Sequence, residues 1–80
     1  MDRTSLPVEL LVMFREEVRD NVQLISSALH ELEAGAAAER VSALSQDIGR
    51  RLHNIKGAAS SLGLEPIASV AHAAETLLLA

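Results

Sequence analysis

The sequence contains no cysteine, tryptophan or tyrosine, and Phe14 is its only aromatic residue. Without cysteine the chain can form neither a disulfide framework nor a zinc site built on thiolates. With a single aromatic side chain it has no platform on which nucleic-acid bases can stack. Seven lysines and arginines against eleven acidic residues give a net charge of -4, whereas nucleic-acid binding requires a basic face. Nucleic acid is therefore not an expected partner.

The sequence also lacks a membrane-spanning or secretory segment. No apolar run approaches the roughly 20 residues that a bilayer-spanning helix needs. The first residues, MDRTSLPVELL, mix acidic with apolar side chains and lack the small-residue cleavage site of a signal peptide. The absence of cysteine fits a reducing compartment. These features predict a cytoplasmic protein without a membrane partner, and a chain of 80 residues has room for one domain.

Apolar residues recur at helical spacing in three segments of the sequence. The predicted helices cover residues 7–34, 37–62 and 66–80. Gly35 and Gly63 are expected to end the first two helices, since glycine readily adopts the left-handed backbone of a helix C-terminus. Ser5 is a candidate N-cap for the first helix, and Pro66 suits the first turn of the third. Short connections make neighbouring helices antiparallel, so the sequence predicts an all-α, up-down helical bundle.

The apolar stripes of these helices are wide enough to call for a fourth helix. The predicted stripes comprise Leu10, Leu11, Phe14, Val18, Val22, Ile25, Leu29 and Leu32, then Val41, Leu44, Ile48, Leu52, Ile55, Ala59 and Leu62, then Ile67, Val70, Ala71, Ala74, Leu77 and Leu78. Asn21 falls on the first stripe and is expected at its solvent-facing edge. The third stripe runs to the last residue without a helix cap, which predicts a domain truncated at its C-terminus. Such a chain has an open apolar groove, through which two copies are expected to form a homodimer.

His53 is the candidate reactive residue, in the stretch RLHNIKGAASSLG. On a helical wheel it lies roughly 140° from the centre of the apolar stripe and faces solvent. Gly49 and Gly57, four residues before and after it, leave space along the helix surface on both sides of the ring. Lys56 lies on one flank, and Ser60 is close by. Because glycine inside a helix costs about 1 kcal/mol relative to alanine, Gly57 requires an explanation.

The antiparallel register predicts which residues of the third helix lie beside His53. Reflection about the turn near Leu64 places Glu75 at the height of His53, and His72 at the height of Lys56. A carboxylate at that height can accept a hydrogen bond from the Nδ1–H group of the imidazole. That bond fixes the tautomer and leaves Nε2 free as a nucleophile.

The pentapeptide HNIKG, residues 53–57, resembles the H-x-x-K-G signature of histidine phosphotransfer (Hpt) domains. The residues that follow, AASSLGLEPIASVAHAAETLL, resemble the N-terminal Hpt domain of CheA-type chemotaxis kinases. Upstream, FREEVRDNVQLISSALHELE is similar to the first helix of the same domain. The resemblance therefore covers nearly the whole chain and implies a four-helix bundle of which three helices are present.

The resemblance also implies a function for the residues around His53. It implies that His53 is phosphorylated, that Lys56 neutralises the phosphoryl group, that Glu75 orients the ring and that His72 joins the hydrogen-bond network. A histidine kinase would be the phosphate donor, and a response-regulator aspartate the acceptor. The sequence has neither a P-loop nor a G-x-G-x-x-G motif, so the chain is expected to be a phosphate carrier without a cofactor, and kinase activity is expected in another domain or chain.

The open surface around His53 is expected to admit these partners. A side chain at position 57 would hold off a docking loop, which explains Gly57. Gly49 and Ser60 are expected to lie on the same docking surface.

Two other functions stay open at this point. His53, His72 and Glu75 are residue types that bind metal ions, although the neighbouring Lys56 would repel a cation. The chain can also be read as a helical interaction module in which the histidine has no chemical role.

Overall fold

The computed structural model describes residues 6–79, which form three α-helices. These are α1 (Val8–Glu33), α2 (Ala38–Ser61) and α3 (Glu65–Leu79). Consecutive helices are antiparallel, as predicted, and α2 packs against both α1 and α3, whose backbones do not approach each other closely in the described part of the chain. The molecule measures 47 × 23 × 14 Å. Leu78 of α3 packs against a cluster that holds Ala28 of α1 with Leu44 and Ile48 of α2, so all three helices contribute to one core.

The two connections between the helices are built on glycine. Gly35 and Gly63 have φ angles of 91° and 74°, so both adopt the left-handed conformation that was predicted for them. At the end of α2 the backbone N–H of Leu64 donates to the carbonyl of Ala59 (2.8 Å), and that of Gly63 donates to Ser60 (3.1 Å). These two bonds are the Schellman pattern. The resulting tight turn sets the register in which α3 returns along α2.

The first residues of α1 and α3 lie close to their predicted positions. α1 begins at Val8, directly after Pro7, and the proposed Ser5 cap lies outside the described residues. α3 begins at Glu65, one residue before the predicted start. Pro66 therefore occupies the first turn of α3, where its missing N–H group has no helical partner to lose.

The core lies along α2, which buries one face against both neighbouring helices. Its buried members are Leu44, Ile48, Ile55 and Ala59 of α2, Ala28 of α1, and Ala68 and Ala71 of α3. Alanine is present on both sides of the interface between α2 and α3, and Ala59 is completely inaccessible to solvent. Since the distance between packed helices depends on the side chains at the contact, these small residues let α3 approach α2 closely.

Asn21 is buried, with 7 % of its surface exposed, and does not lie at a solvent-facing edge as expected. Its side-chain amide donates to the backbone carbonyl of Glu17 (2.9 Å), and its Oδ1 accepts a hydrogen bond from Arg51 (3.5 Å). Arg51 also donates to the carboxylate of Asp47 (3.1 Å). A buried amide that is hydrogen-bonded at both ends avoids most of the cost of desolvation. These contacts form a polar link between α1 and α2.

An apolar face of α1 and α3 is left uncovered in the described part of the chain. This open face is formed by Leu11, Val22, Leu29, Ile67 and Val70. These side chains are 37 % to 71 % exposed, and Leu77 at the edge of the face is 78 % exposed. These exposed side chains agree with the open apolar groove that the sequence predicts for a bundle of three helices. The physical reason is that α1 and α3 pack on different sides of α2, so neither helix covers the flank of the other.

Candidate functional site

His53 lies in the middle of α2 on the side turned away from the core, and 63 % of its side chain is exposed. Gly57 follows one turn later and is also exposed. A Cβ atom built at Gly57 meets no other atom within 4 Å, so packing inside this chain does not require a glycine there. Ser60 is exposed on the same face of α2. The imidazole therefore borders an open strip of helix surface.

Gly49, in contrast, lies at the interface between α2 and α3. A Cβ atom built there lies 3.4 Å from Cδ2 of Leu78, an ordinary van der Waals contact. Gly49 thus has a neighbour within the fold, which the sequence could not reveal. A Cβ atom would fit there, so packing does not require a glycine at this position. Gly49 also lines the depression beside His53, and its expected place on the docking surface stays a prediction.

Glu75 joins His53 and Lys56 across the interface between α2 and α3. Its Oε2 atom lies 3.4 Å from Nδ1 of His53, and its Oε1 atom accepts a hydrogen bond from Nζ of Lys56 at 3.2 Å. The register predicted from the turn near Leu64 therefore brings Glu75 to His53. Glu75 and Lys56 are largely enclosed, with 19 % and 27 % of their side chains exposed. Glu75, bound to Lys56, thus lies beside the Nδ1 edge of the imidazole, while the opposite edge faces solvent.

The carboxylate of Glu75 is suited to accept a hydrogen bond from the imidazole. The hydrogen bond from Lys56 lowers the pKa of Glu75 below its usual value; partial burial opposes this change, and the positive charges of Lys56 and of protonated His53 add to it. Glu75 is therefore ionised at neutral pH and acts only as an acceptor. An acceptor at Nδ1 favours the tautomer in which Nδ1 carries the proton and Nε2 keeps its lone pair.

Glu75→Gln is expected to remove a pH-dependent part of the stability of the fold. Because the pKa of Glu75 is lower in the folded chain than in the unfolded chain, its contribution is present above the unfolded-state pKa. The contribution is lost as the pH falls through the folded-state pKa. Thermal melts followed by circular dichroism, from neutral pH down to about pH 3, should show the difference between parent and variant shrinking as the pH falls.

The matched control for that experiment is Glu16→Gln, which removes an exposed carboxylate from α1. Its difference from the parent should change much less with pH. If the Glu75→Gln variant differs from the parent by the same amount at every pH, the ion pair with Lys56 does not contribute to stability.

His72 is exposed on α3, and the structure does not join it to the group formed by His53, Lys56 and Glu75. Its backbone carbonyl accepts a hydrogen bond from the hydroxyl of Thr76 (3.0 Å), but its imidazole has no hydrogen bond to residues 6–79. The same range of residues holds no group of three histidine, aspartate or glutamate side chains that could bind a metal ion. The alternative of a metal site made of His53, His72 and Glu75 therefore has no structural support.

A shallow depression of about 640 Å³ adjoins His53. Besides His53, it is lined by Asp47, Arg50, Asn54 and Glu75. Arg50 is 75 % exposed and donates a hydrogen bond to Asp47 at 3.2 Å. The sequence analysis did not identify Arg50 as a site residue. Its position three residues before His53 could have indicated that it lies near the imidazole, since residues at that spacing are neighbours on a helix surface.

Comparison with known proteins agrees with this arrangement. Residues 9–80 match the model of the protein family described as Hpt domain. Over 80 residues, the whole chain, the sequence is 39 % identical to a gliding motility regulatory protein of Myxococcus xanthus. The chain spans 10 % of the length of that protein. No solved structure matches the chain.

Proposed function

Because the chain belongs to the Hpt domain family, whose members transfer phosphate through histidine in phosphorelays, we propose that His53 is its phosphate-carrying residue. The observation that carries this proposal is the position of the imidazole, which is 63 % exposed while its Nδ1 atom lies 3.4 Å from Glu75. One ring nitrogen is thus paired with a carboxylate, and the other is open to a partner. His30 and His72 are exposed as well, but among the described residues only His53 has a ring nitrogen beside a carboxylate.

The proposed chemistry uses the lone pair of Nε2. It attacks the γ-phosphorus of ATP held by a histidine kinase; the Nε2–P bond forms, and the bond from phosphorus to the bridging oxygen of ADP breaks. The positive charge that develops on the ring is shared with Glu75 through the Nδ1 proton. In the second step an aspartate carboxylate of a receiver domain attacks the phosphorus, and the N–P electron pair returns to Nε2. The chain needs no cofactor for either step.

Lys56 and Glu75 support this chemistry without contributing to the core. The ammonium of Lys56 holds the carboxylate of Glu75 at 3.2 Å, which keeps the acceptor facing Nδ1 of His53. Its positive charge also offsets part of the roughly two negative charges that a phosphoryl group adds. The proposed roles are those of a phosphate carrier, and the kinase activity is placed in another domain or chain.

The surface around His53 is the proposed docking site for both partners. A kinase domain and a receiver domain must each bring a phosphorus atom or a carboxylate to Nε2, so they must approach the same face in turn. Gly57 and Ser60 extend this face along α2 with no side chain or a small one. Because the relative is named as a regulator of gliding motility, we propose that the relay controls motility, as in chemotaxis.

A cytoplasmic location is proposed because the proposed source of phosphate is ATP. None of the three described helices has the length and apolar character required to cross a bilayer. A relay that draws its phosphate from ATP places the chain in the cytoplasm.

The proposal is tested by following a phosphoryl group through the relay. The chain is incubated with a histidine kinase catalytic domain and radiolabelled ATP, and then with a receiver domain. Phosphate that is labile in acid and stable in base is expected on the chain first, and on the receiver afterwards. If several kinase domains that phosphorylate other Hpt domains leave this chain unlabelled, the proposed function is wrong.

A second copy of the chain is the proposed partner for the open face. Exposed apolar patches of this kind are typical of interaction sites, and a two-fold arrangement covers both copies with the same surface. Val70, 71 % exposed, is expected to be central to this contact. Sedimentation equilibrium over a concentration series should show a dimer for the parent and a monomer for Val70→Glu.

The matched control is Leu24→Glu, which also places a carboxylate on an exposed apolar position. Leu24 is 45 % exposed and lies about 140° or more around α1 from the open face. This variant should still dimerise. A parent chain that is monomeric at every concentration, with a sharp melt, would contradict the proposal that the open face binds a second copy.

A further inference from the structure

Two cations flank His53 on opposite sides of α2. Lys56 follows it by three residues and Arg50 precedes it by three, so on a helix they lie about 60° to either side of the imidazole. Lys56 is on the side of α3, where its ammonium binds Glu75. Arg50 is on the side away from α3, with 75 % of its side chain exposed, and it lines the same depression as His53.

The Lys56 ammonium lies on the Nδ1 side of the imidazole. It is bound to Oε1 of Glu75 at 3.2 Å, while Oε2 of the same carboxylate lies 3.4 Å from Nδ1 of His53. The two nitrogens of an imidazole point in divergent directions. A phosphoryl group on Nε2 is therefore directed away from Glu75. Arg50 lines the depression that adjoins His53, where its guanidinium can reach such a group.

Arg50 can leave its present partner at little cost. It donates to Oδ1 of Asp47 at 3.2 Å, and an ion pair this exposed is weak. Asp47 does not become unpaired, because Arg51 donates to its other oxygen at 3.1 Å. The planar guanidinium also offers two parallel N–H groups, a geometry that matches two oxygens of a phosphoryl group.

We propose that Arg50 binds the phosphoryl group carried by Nε2 of His53, an assignment that rests on the proposed function of His53. In this arrangement Arg50 exchanges its hydrogen bond with Asp47 for hydrogen bonds to the non-bridging phosphoryl oxygens. Lys56, bound to Glu75 on the other flank of the ring, adds its positive charge to that of Arg50. Arg50 makes and breaks no covalent bond; it stabilises the negative charge of the incoming and the bound phosphoryl group.

The test uses phosphoramidate, a small phosphate donor that needs no kinase and no docking surface. Nε2 of His53 attacks the phosphorus of the donor, whose nitrogen is protonated. The P–N bond of the donor breaks, and ammonia leaves. The variants are Arg50→Ala and Arg50→Lys. Arg19→Ala is the matched control, because it removes the same charge from an exposed position on α1. Circular dichroism establishes that all variants keep the helical fold.

Arg50→Ala is expected to be phosphorylated about three- to fivefold more slowly than the parent, the effect of losing an exposed charge contact. In a phosphorus NMR titration, the pKa of the phosphoryl group should be higher in Arg50→Ala than in the parent, because the guanidinium favours the dianion. Arg50→Lys should recover part of both effects. Arg19→Ala should match the parent.

Two failures of this experiment are distinguishable. If His53 becomes phosphorylated but Arg50→Ala and Arg19→Ala behave alike in rate and in phosphoryl pKa, the assignment of Arg50 is wrong and the proposed function stands. If the parent chain takes up no phosphate on His53 from phosphoramidate or from histidine kinase domains, the proposed function is wrong and so is the role of Arg50.

Discussion

Replacing His53 by glutamine is expected to abolish the uptake of acid-labile phosphate from a histidine kinase. Glutamine has no nucleophilic nitrogen at the position of Nε2, so no N–P bond can form. The fold should be unaffected, because the side chain of His53 is 63 % exposed and lies away from the core. Substitutions at such positions usually change stability by no more than about 0.5 kcal/mol. Phosphate incorporation and thermal melting, measured on the same preparation, check both parts of the expectation.

His30→Gln is the matched control for that variant. His30 is an exposed histidine in the last turn of α1, so the same substitution there removes an imidazole from a position outside the candidate site. This control should take up as much phosphate as the parent. If the His53→Gln variant is labelled as strongly as the control, another residue carries the phosphate.

Gly57→Gln is expected to slow phosphate transfer between this chain and a receiver domain by about tenfold, a steric cost of about 1.4 kcal/mol. The reason is that a long side chain next to His53 obstructs the domain that must reach Nε2. A Cβ atom at position 57 meets nothing within this chain, so the substitution should not disturb the fold. Single-turnover transfer from the phosphorylated chain to the receiver provides the measurement.

Two comparisons separate docking from chemistry at Gly57. Phosphorylation by phosphoramidate should proceed normally in Gly57→Gln, because a small donor does not need the docking surface. Gly57→Ala should transfer phosphate nearly as well as the parent and stabilise the helix by up to about 1 kcal/mol. Undiminished transfer by Gly57→Gln would remove the proposed reason for a glycine at this position.

The pairing of His53 with Glu75 could be predicted because it depends only on backbone geometry. Helical periodicity fixes the direction in which each side chain leaves α2 and α3. The Schellman turn at Gly63 is short and has one common conformation, so the register between the two helices follows by reflection about Leu64. When two regular helices are joined by a tight turn, few different pairs of residues can come into contact across them.

The register alone does not identify the partner of Lys56, although the sequence offers Glu75 as one candidate. The register places His72 at the height of Lys56, yet the ammonium binds Glu75, about one turn further along α3. A lysine side chain has a flexible four-carbon stem, so its ammonium can reach any of several nearby acceptors. Sequence spacing locates the Cα atom of a long side chain, but the opposite charge decides where its end lies. For the same reason the sequence does not show where the guanidinium of Arg50 lies, since its position is set by the hydrogen bond to Asp47.

The burial of Asn21 and the exposure of the open face have a different origin. The stripes predict an open groove, but which residues line it, and which are enclosed, depends on how the helices are arranged about each other, and periodicity does not encode that arrangement. Asn21 is enclosed because Arg51 of α2 reaches its side chain and satisfies it. Val22, the next residue, is 50 % exposed because α3 does not reach the inner flank of α1. An apolar stripe shows that a face needs a partner, but not which element supplies it.

The most direct test of the central claim is to determine which atom of the chain carries the phosphate. Long-range proton–nitrogen NMR spectra of the ¹⁵N-labelled chain resolve the two ring nitrogens of each histidine before and after phosphorylation. Before the reaction, Nδ1 of His53 is expected to carry the proton, and Nε2 the lone pair. Afterwards, coupling to phosphorus is expected at Nε2 of His53, with the Nδ1 proton retained toward Glu75. Phosphorus bonded to Nδ1 of His53, or to any other residue, would contradict the account.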